Sequence, residues 1–60
     1  MLAVERRKQI LEQVHKDKKV IVSELSRQFR VSEETIRRDL EKLAEDGHVI
    51  KSYGGAVINE

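Results

Sequence analysis

Thr35, Arg37 and Arg38 fall within four consecutive positions of a stretch whose apolar residues, Ile36, Leu40 and Leu43, recur at i, i+4 and i+7. That spacing predicts a helix over 33–46 with one side buried. The other side then presents Thr35, Arg37 and Arg38 near its start and Lys42 one turn later. An arginine fork can donate two bonds to guanine O6 and N7. A threonine can bond a base or a phosphate, or lay its methyl group on thymine. The N-terminal half of an exposed helix face is where such residues meet base edges in the major groove of double-stranded DNA. Successive residues point about 100° apart on a helix, so Arg37 and Arg38 cannot share one role. One is expected on a base edge and the other on a phosphate, in either order.

The acids near these residues need their own account. Glu33 and Glu34 suit the positive end of the helix dipole; Glu34 could instead accept from cytosine N4. Asp39 flanks the buried stripe and is expected to pair with an arginine of the first helix. Arg6 and Arg7 could serve that pair or reach phosphates.

The elements that must position this face are legible on both sides of it. Ser32 is an N-cap candidate for the helix over 33–46, and Gly47 suits the left-handed residue after its end. Upstream, Leu25 and Phe29 are four apart and predict a short helix over 24–30, with Ser23 as its cap. Arg30-Val31-Ser32 is the turn between the two, and it lacks the frequent glycine. Val20-Ile21-Val22 is a β-branched run that predicts a brief strand. Ala3, Ile10, Leu11 and Val14 set the inner stripe of a first helix over 3–17. Downstream, His48 to Tyr53 predicts a strand, Gly54-Gly55 a two-residue turn, and Ala56 to Ile58 the return strand. The predicted core is Ile10, Leu11, Val14, Leu25, Phe29, Val31, Ile36, Leu40 and Leu43.

Helix, strand, helix, turn, helix and hairpin together predict a mainly α fold with a small β-hairpin. This is a winged helix-turn-helix, a three-helix bundle plus wing. In such a fold Ser23 and Ser32 open the two helices nearest the proposed DNA, and Lys51, Ser52 and Tyr53 lie on the wing. All five are candidate contacts to DNA; for Ser23 the alternative is capping alone, and for the wing residues a solvated hairpin.

Composition narrows the classes. Sixty residues make one domain, over 1–60, that buries only about 60% of its unfolded surface. There is no cysteine, so no disulfide or thiolate site supports it. The net charge of +1 hides an asymmetry: residues 1–30 carry a balance of +4 and residues 31–60 one of −3. That asymmetry permits an electrostatic footprint without requiring it. No apolar run approaches a membrane span and no signal peptide is legible, so the expected location is cytoplasmic. An enzyme is not expected. His15 and His48 are the only histidines, no nucleophile motif surrounds a serine or threonine, and a chain this short leaves little room for a preorganised pocket. Gly54-Gly55 has no phosphate-loop context. No cofactor or metal is expected. A winged helix can also serve as a protein-protein interaction module, but that use calls for exposed apolar residues on the helix over 33–46.

Arg6, Ile10, Val14, Ser32, Thr35, Ile36, Arg37, Arg38, Asp39, Leu40 and Leu43 form R-x3-I-x3-V-x17-S-x2-T-I-R-R-D-L-x2-L. This string resembles the helix-turn-helix signature of the DeoR family of bacterial repressors, and Tyr53-Gly54-Gly55-Ala56 resembles that family's wing. The resemblance implies a repressor of a sugar or nucleoside catabolic operon. It further implies a C-terminal domain, outside these sixty residues, that binds a phosphorylated sugar as inducer and forms the homo-oligomer of the full-length protein.

Overall fold

The computed structural model describes residues 1–60. Six elements follow in order: α1 (Ala3–Asp17), β1 (Lys19–Ile21), α2 (Val22–Phe29), α3 (Glu33–Glu45), β2 (Val49–Ser52) and β3 (Gly55–Ile58). The three helices pack on one face of a small antiparallel sheet of order β1-β3-β2. The first helix has the expected bounds, and the third ends one residue earlier than expected. Asp46 closes α3, and Gly47 follows at φ 82°.

The helices bury the stripes that their spacing predicts. Ile10 and Val14 of α1, Leu25 of α2, and Ile36, Leu40 and Leu43 of α3 are buried, while Leu11, Phe29 and Val31 pack half-buried against them. Val20, Val22, Val49 and Ala56 complete the core and lie outside the set that helical spacing predicts. They come from the sheet and its junction with α2, where the burial of Val20, Val22 and Ala56 depends on contacts across more than thirty residues and that of Val49 on the β2–β3 pairing. Ala3 is exposed. It shares the direction of Ile10 and Val14 but is the first residue of α1, two turns before the stripe becomes buried at Ile10.

Several boundaries differ from the sequence expectation, and one cause accounts for most of them. The short strand runs one residue earlier, over Lys19–Ile21, and pairs with β3 through Lys19↔Val57, Val20↔Ala56 and Ile21↔Gly55. The expected hairpin is therefore part of a three-stranded sheet. Gly55 lies within β3 instead of the turn, and the two turn residues are Tyr53 and Gly54, the latter at φ 76°. A Cβ on Gly55 would sit 2.0 Å from the Val20 carbonyl oxygen, so only glycine lets β1 approach this closely. The Val22 N–H donates to the Gly54 carbonyl at 2.8 Å. Helix α2 can therefore start straight from the strand at Val22, with Ile21 in the cap position and no side-chain cap. Ser23 is consequently not the N-cap that its residue type suggests. It lies inside the first turn, and its carbonyl accepts from Ser26 Oγ at 3.0 Å.

The turn between α2 and α3 manages without glycine by placing Arg30 itself in the left-handed region, at φ 58°. The Ser26 carbonyl accepts from the N–H groups of both Arg30 and Val31, closing the end of α2.

Candidate nucleic-acid interface

Helix α3 is anchored at its start and along its inner side. Ser32 Oγ accepts from the Thr35 N–H at 3.1 Å, as the sequence suggested, and lies 3.0 Å from Thr35 Oγ1. The two hydroxyls thus share a hydrogen bond, and Thr35 is half-buried. On the inner side, Asp39 is 2% exposed. It accepts from Arg6 Nε, from Arg6 Nη2 at 3.1 Å, and more distantly from Arg7 Nη1 at 3.5 Å. The expected pairing of Asp39 with the first helix is therefore present and involves both arginines. The hydrogen bond to Asp39 is the largest influence on Arg6 and raises its guanidinium above the usual arginine value; desolvation opposes this and attraction to the carboxylate adds to it. A buried carboxylate that lost such partners would be left uncompensated. The cluster therefore docks α3 on α1 and sets how the outer face of α3 is presented.

That outer face is polar throughout. Glu33, Glu34, Arg37, Arg38, Glu41, Lys42 and Glu45 are exposed, and every large apolar residue of α3 is buried. Five of its charges are held in three ion pairs. Arg37 donates to Glu33 at 3.0 Å and Arg38 to Glu34 at 3.2 Å, both one turn back along the helix. Glu41 accepts from Lys51 on the wing at 3.3 Å. Lys42 has no ion-pair partner. The i, i+4 spacing of the two Glu–Arg pairs was a signal available in the sequence; the Glu41–Lys51 pair was not, because it depends on where the wing folds.

Between α3 and the wing runs a groove of about 250 Å³. Val22 and Leu40 form its floor, Arg37 its helix wall, and Lys51, Ser52 and Tyr53 its wing wall. Tyr53 is fully exposed at the wing tip. The fold thus brings Arg37, Lys51, Ser52 and Tyr53 together and leaves Ser32, Thr35, Arg38 and Lys42 on the rest of α3. Ser23 is half-buried and does not line the groove. A second recess of about 330 Å³ is lined by Gln9, Glu12, Gln13 and Lys16, all on α1, and no second element closes over it. No group of three or more His, Cys, Asp or Glu side chains comes together as a metal site. No helix is long and apolar enough to cross a membrane.

A capped helix with a polar outer face, a short helix before it, a tight turn between them and a sheet-borne wing beside it define a winged helix-turn-helix domain. The family model that matches residues 6–60 is the DeoR-like helix-turn-helix domain. The chain is 53% identical over 57 residues to the uncharacterised HTH-type transcriptional regulator YulB of Bacillus subtilis (strain 168), covering 95% of the chain and 22% of that protein. It is 47% identical over 51 residues to the L-fucose operon activator of Haemophilus influenzae, covering 85% and 20%. It is 40% identical over 58 residues to the glycerol-3-phosphate regulon repressor of Escherichia coli (strain K12), covering 97% and 23%. No solved structure matches the chain. The chain belongs to the DeoR-like helix-turn-helix family, which places it among DNA-binding transcriptional regulators. It spans about a fifth of the length of these curated relatives.

Proposed function

We propose that residues 1–60 form the DNA-reading domain of a larger transcriptional regulator, with α3 lying in the major groove and the wing set against the flanking backbone. The observation that carries this is the outer face of α3. It is capped at Ser32, presents Thr35, Arg37, Arg38 and Lys42, and continues into Lys51, Ser52 and Tyr53 of the wing, with no large apolar residue among the exposed positions of the helix. A protein-docking face would need an apolar centre, and this face has none. Ser32 and Thr35 suit the backbone beside the helix start; Lys51, Ser52 and Tyr53 suit phosphates across the groove. Ser23, turned into the first turn of α2, is a lesser phosphate contact. Neither histidine lines the groove, so the reading is binding without catalysis.

The larger protein is proposed to be a repressor of a carbohydrate catabolic operon. It would carry a phosphorylated-sugar inducer site and an oligomer interface on a further domain, and it would act in the cytoplasm. The support is the names of the relatives, one a glycerol-3-phosphate regulon repressor and another an L-fucose operon activator.

A salt titration of the 60-residue chain on duplex DNA tests the DNA reading. Binding should be weak, because a single module buries only about 600–1,000 Å². It should also fall steeply with salt, with a log–log slope near −0.9 per phosphate neutralised. An affinity that did not change between low and high salt would move the protein-interaction reading to first place.

A further inference from the structure

Glu33–Arg37 and Glu34–Arg38 have the same spacing, but the fold gives the two pairs different surroundings. Arg37 lines the groove beside the wing, and its side chain is 57% exposed against 48% for Glu33. Arg38 and Glu34 are 74% and 71% exposed, and neither bonds any other element. Glu34 sits in the first turn of α3, where a helix in a major groove brings its residues closest to base edges. A carboxylate there meets a polyanion; Arg38 offsets part of that repulsion, and a donor on the DNA can offset more of it.

The single bond within this pair runs from Arg38 Nη2 to Glu34 Oε2. The other carboxylate oxygen and the remaining guanidinium N–H groups have no protein partner. The couple therefore offers several donors beside one acceptor. In the major groove a G·C pair shows guanine N7 and O6, two adjacent acceptors, and then the cytosine N4 donor. An A·T pair shows acceptor, donor, acceptor, which interrupts that order.

We propose that Glu34 and Arg38 read one G·C base pair together. Arg38 donates to guanine O6 and N7, Glu34 accepts from N4 of the paired cytosine, and Arg37 holds a backbone phosphate beside the wing. This deepens the DNA-reading function above and rests on it. An exposed i, i+4 pair is worth only a factor of about two in an equilibrium, so base contact readily reorganises the couple. The pair biases both side chains toward this arrangement before the matching base pair arrives.

The test is to enrich a random duplex library on the 60-residue chain and on Glu34→Ala, Arg38→Ala, Arg37→Ala and the Glu34→Ala/Arg38→Ala double variant, with the circular dichroism of each confirming its helices. The parent should enrich a site containing a G·C pair in fixed orientation. Arg38→Ala should lose about five- to hundredfold discrimination at that pair, and Glu34→Ala about three- to tenfold at the same pair. The double variant should lose no more than Arg38→Ala, because the two residues act as one reader. Arg37→Ala should weaken enriched and random duplexes by the same factor and lower the salt slope by about one. Preferences left unchanged at every position by Glu34→Ala, or changed at a different base pair from that of Arg38→Ala, would overturn the assignment. So would a loss of base preference in Arg37→Ala. A parent that binds duplex DNA with a steep salt slope but enriches no sequence would overturn base reading by this couple while leaving DNA binding in place. A parent that does not bind duplex DNA at all would take the DNA reading down with it.

Discussion

Helix α3 and the wing form the two walls of one groove, but they are held there by different means. Helix α3 is specified largely by its own residues. Ser32 caps it, Glu33 and Glu34 pair one turn ahead with Arg37 and Arg38, and Gly47 follows its end. The wing is specified by partners distant in the chain. Gly55 admits the Val20 carbonyl, Gly54 accepts from the Val22 N–H, and Lys51 reaches Glu41. The α3 wall is thus largely locally determined, and the wing wall depends on the whole fold. Damage to the two should register differently: on the wing as loss of the fold, on α3 as modest loss of stability.

The largest effect expected is at the wing. Gly55→Ala would place a methyl group 2.0 Å from a backbone oxygen that cannot rotate away, so β1 must separate from β3 and the Val22 anchor goes with it. The cost should be about 3 kcal/mol, the upper end of overpacking penalties. A domain of this size holds only about 3–9 kcal/mol in all. Thermal denaturation should show a fall in Tm of more than about 12 °C. A fall of under about 4 °C would mean that the close strand approach contributes little to holding the wing.

At the start of α3 the expected effect is smaller. Ser32→Ala removes a cap bond and should cost about 1 kcal/mol, or about 4–8 °C in Tm. Ser23→Ala is the informative partner. Ser23 is not a cap here, so its replacement should change stability by less than about 0.5 kcal/mol. Equal losses at both serines would contradict the different starts of α2 and α3.

These two serines also show where the sequence is informative and where it is not. Each stands before an acidic residue and a helical run, and residue type alone suggests a cap at both. The difference arises because β1 runs directly into α2 and the wing supplies the carbonyl that anchors the junction, a contact across more than thirty residues. The same cause shifts the hairpin turn to Tyr53-Gly54 and brings Val20, Val22 and Ala56 into the core. Legible features are local or strongly patterned: the bounds of α1, the stripe on α3, the cap at Ser32, the glycine after Asp46 and the Asp39 pairing. At the interface, the exposed positions of α3 and the wing could be named from their spacing. Which of Arg37 and Arg38 lines the groove could not, because it depends on which side of α3 the wing occupies.

One expected effect has the opposite sign and concerns the turn that joins α2 to α3. Arg30 holds φ 58° where a residue with a Cβ is strained by roughly 1–2 kcal/mol. Glycine removes that strain, but it loses more conformational freedom on folding, which returns about 0.5–1 kcal/mol. Arg30→Gly should therefore stabilise the chain by about 0.5–1 kcal/mol, a rise of roughly 2–8 °C in Tm. Arg30→Ala separates backbone from side chain, because alanine keeps the left-handed strain and deletes the guanidinium. Arg30→Gly should exceed Arg30→Ala in Tm by at least the gain over the parent. If the two variants melt together, the turn is not limited by backbone strain at Arg30. The geometry of α2 against α3 would then rest on the packing of Leu25, Phe29 and Val31 and on the two bonds to the Ser26 carbonyl.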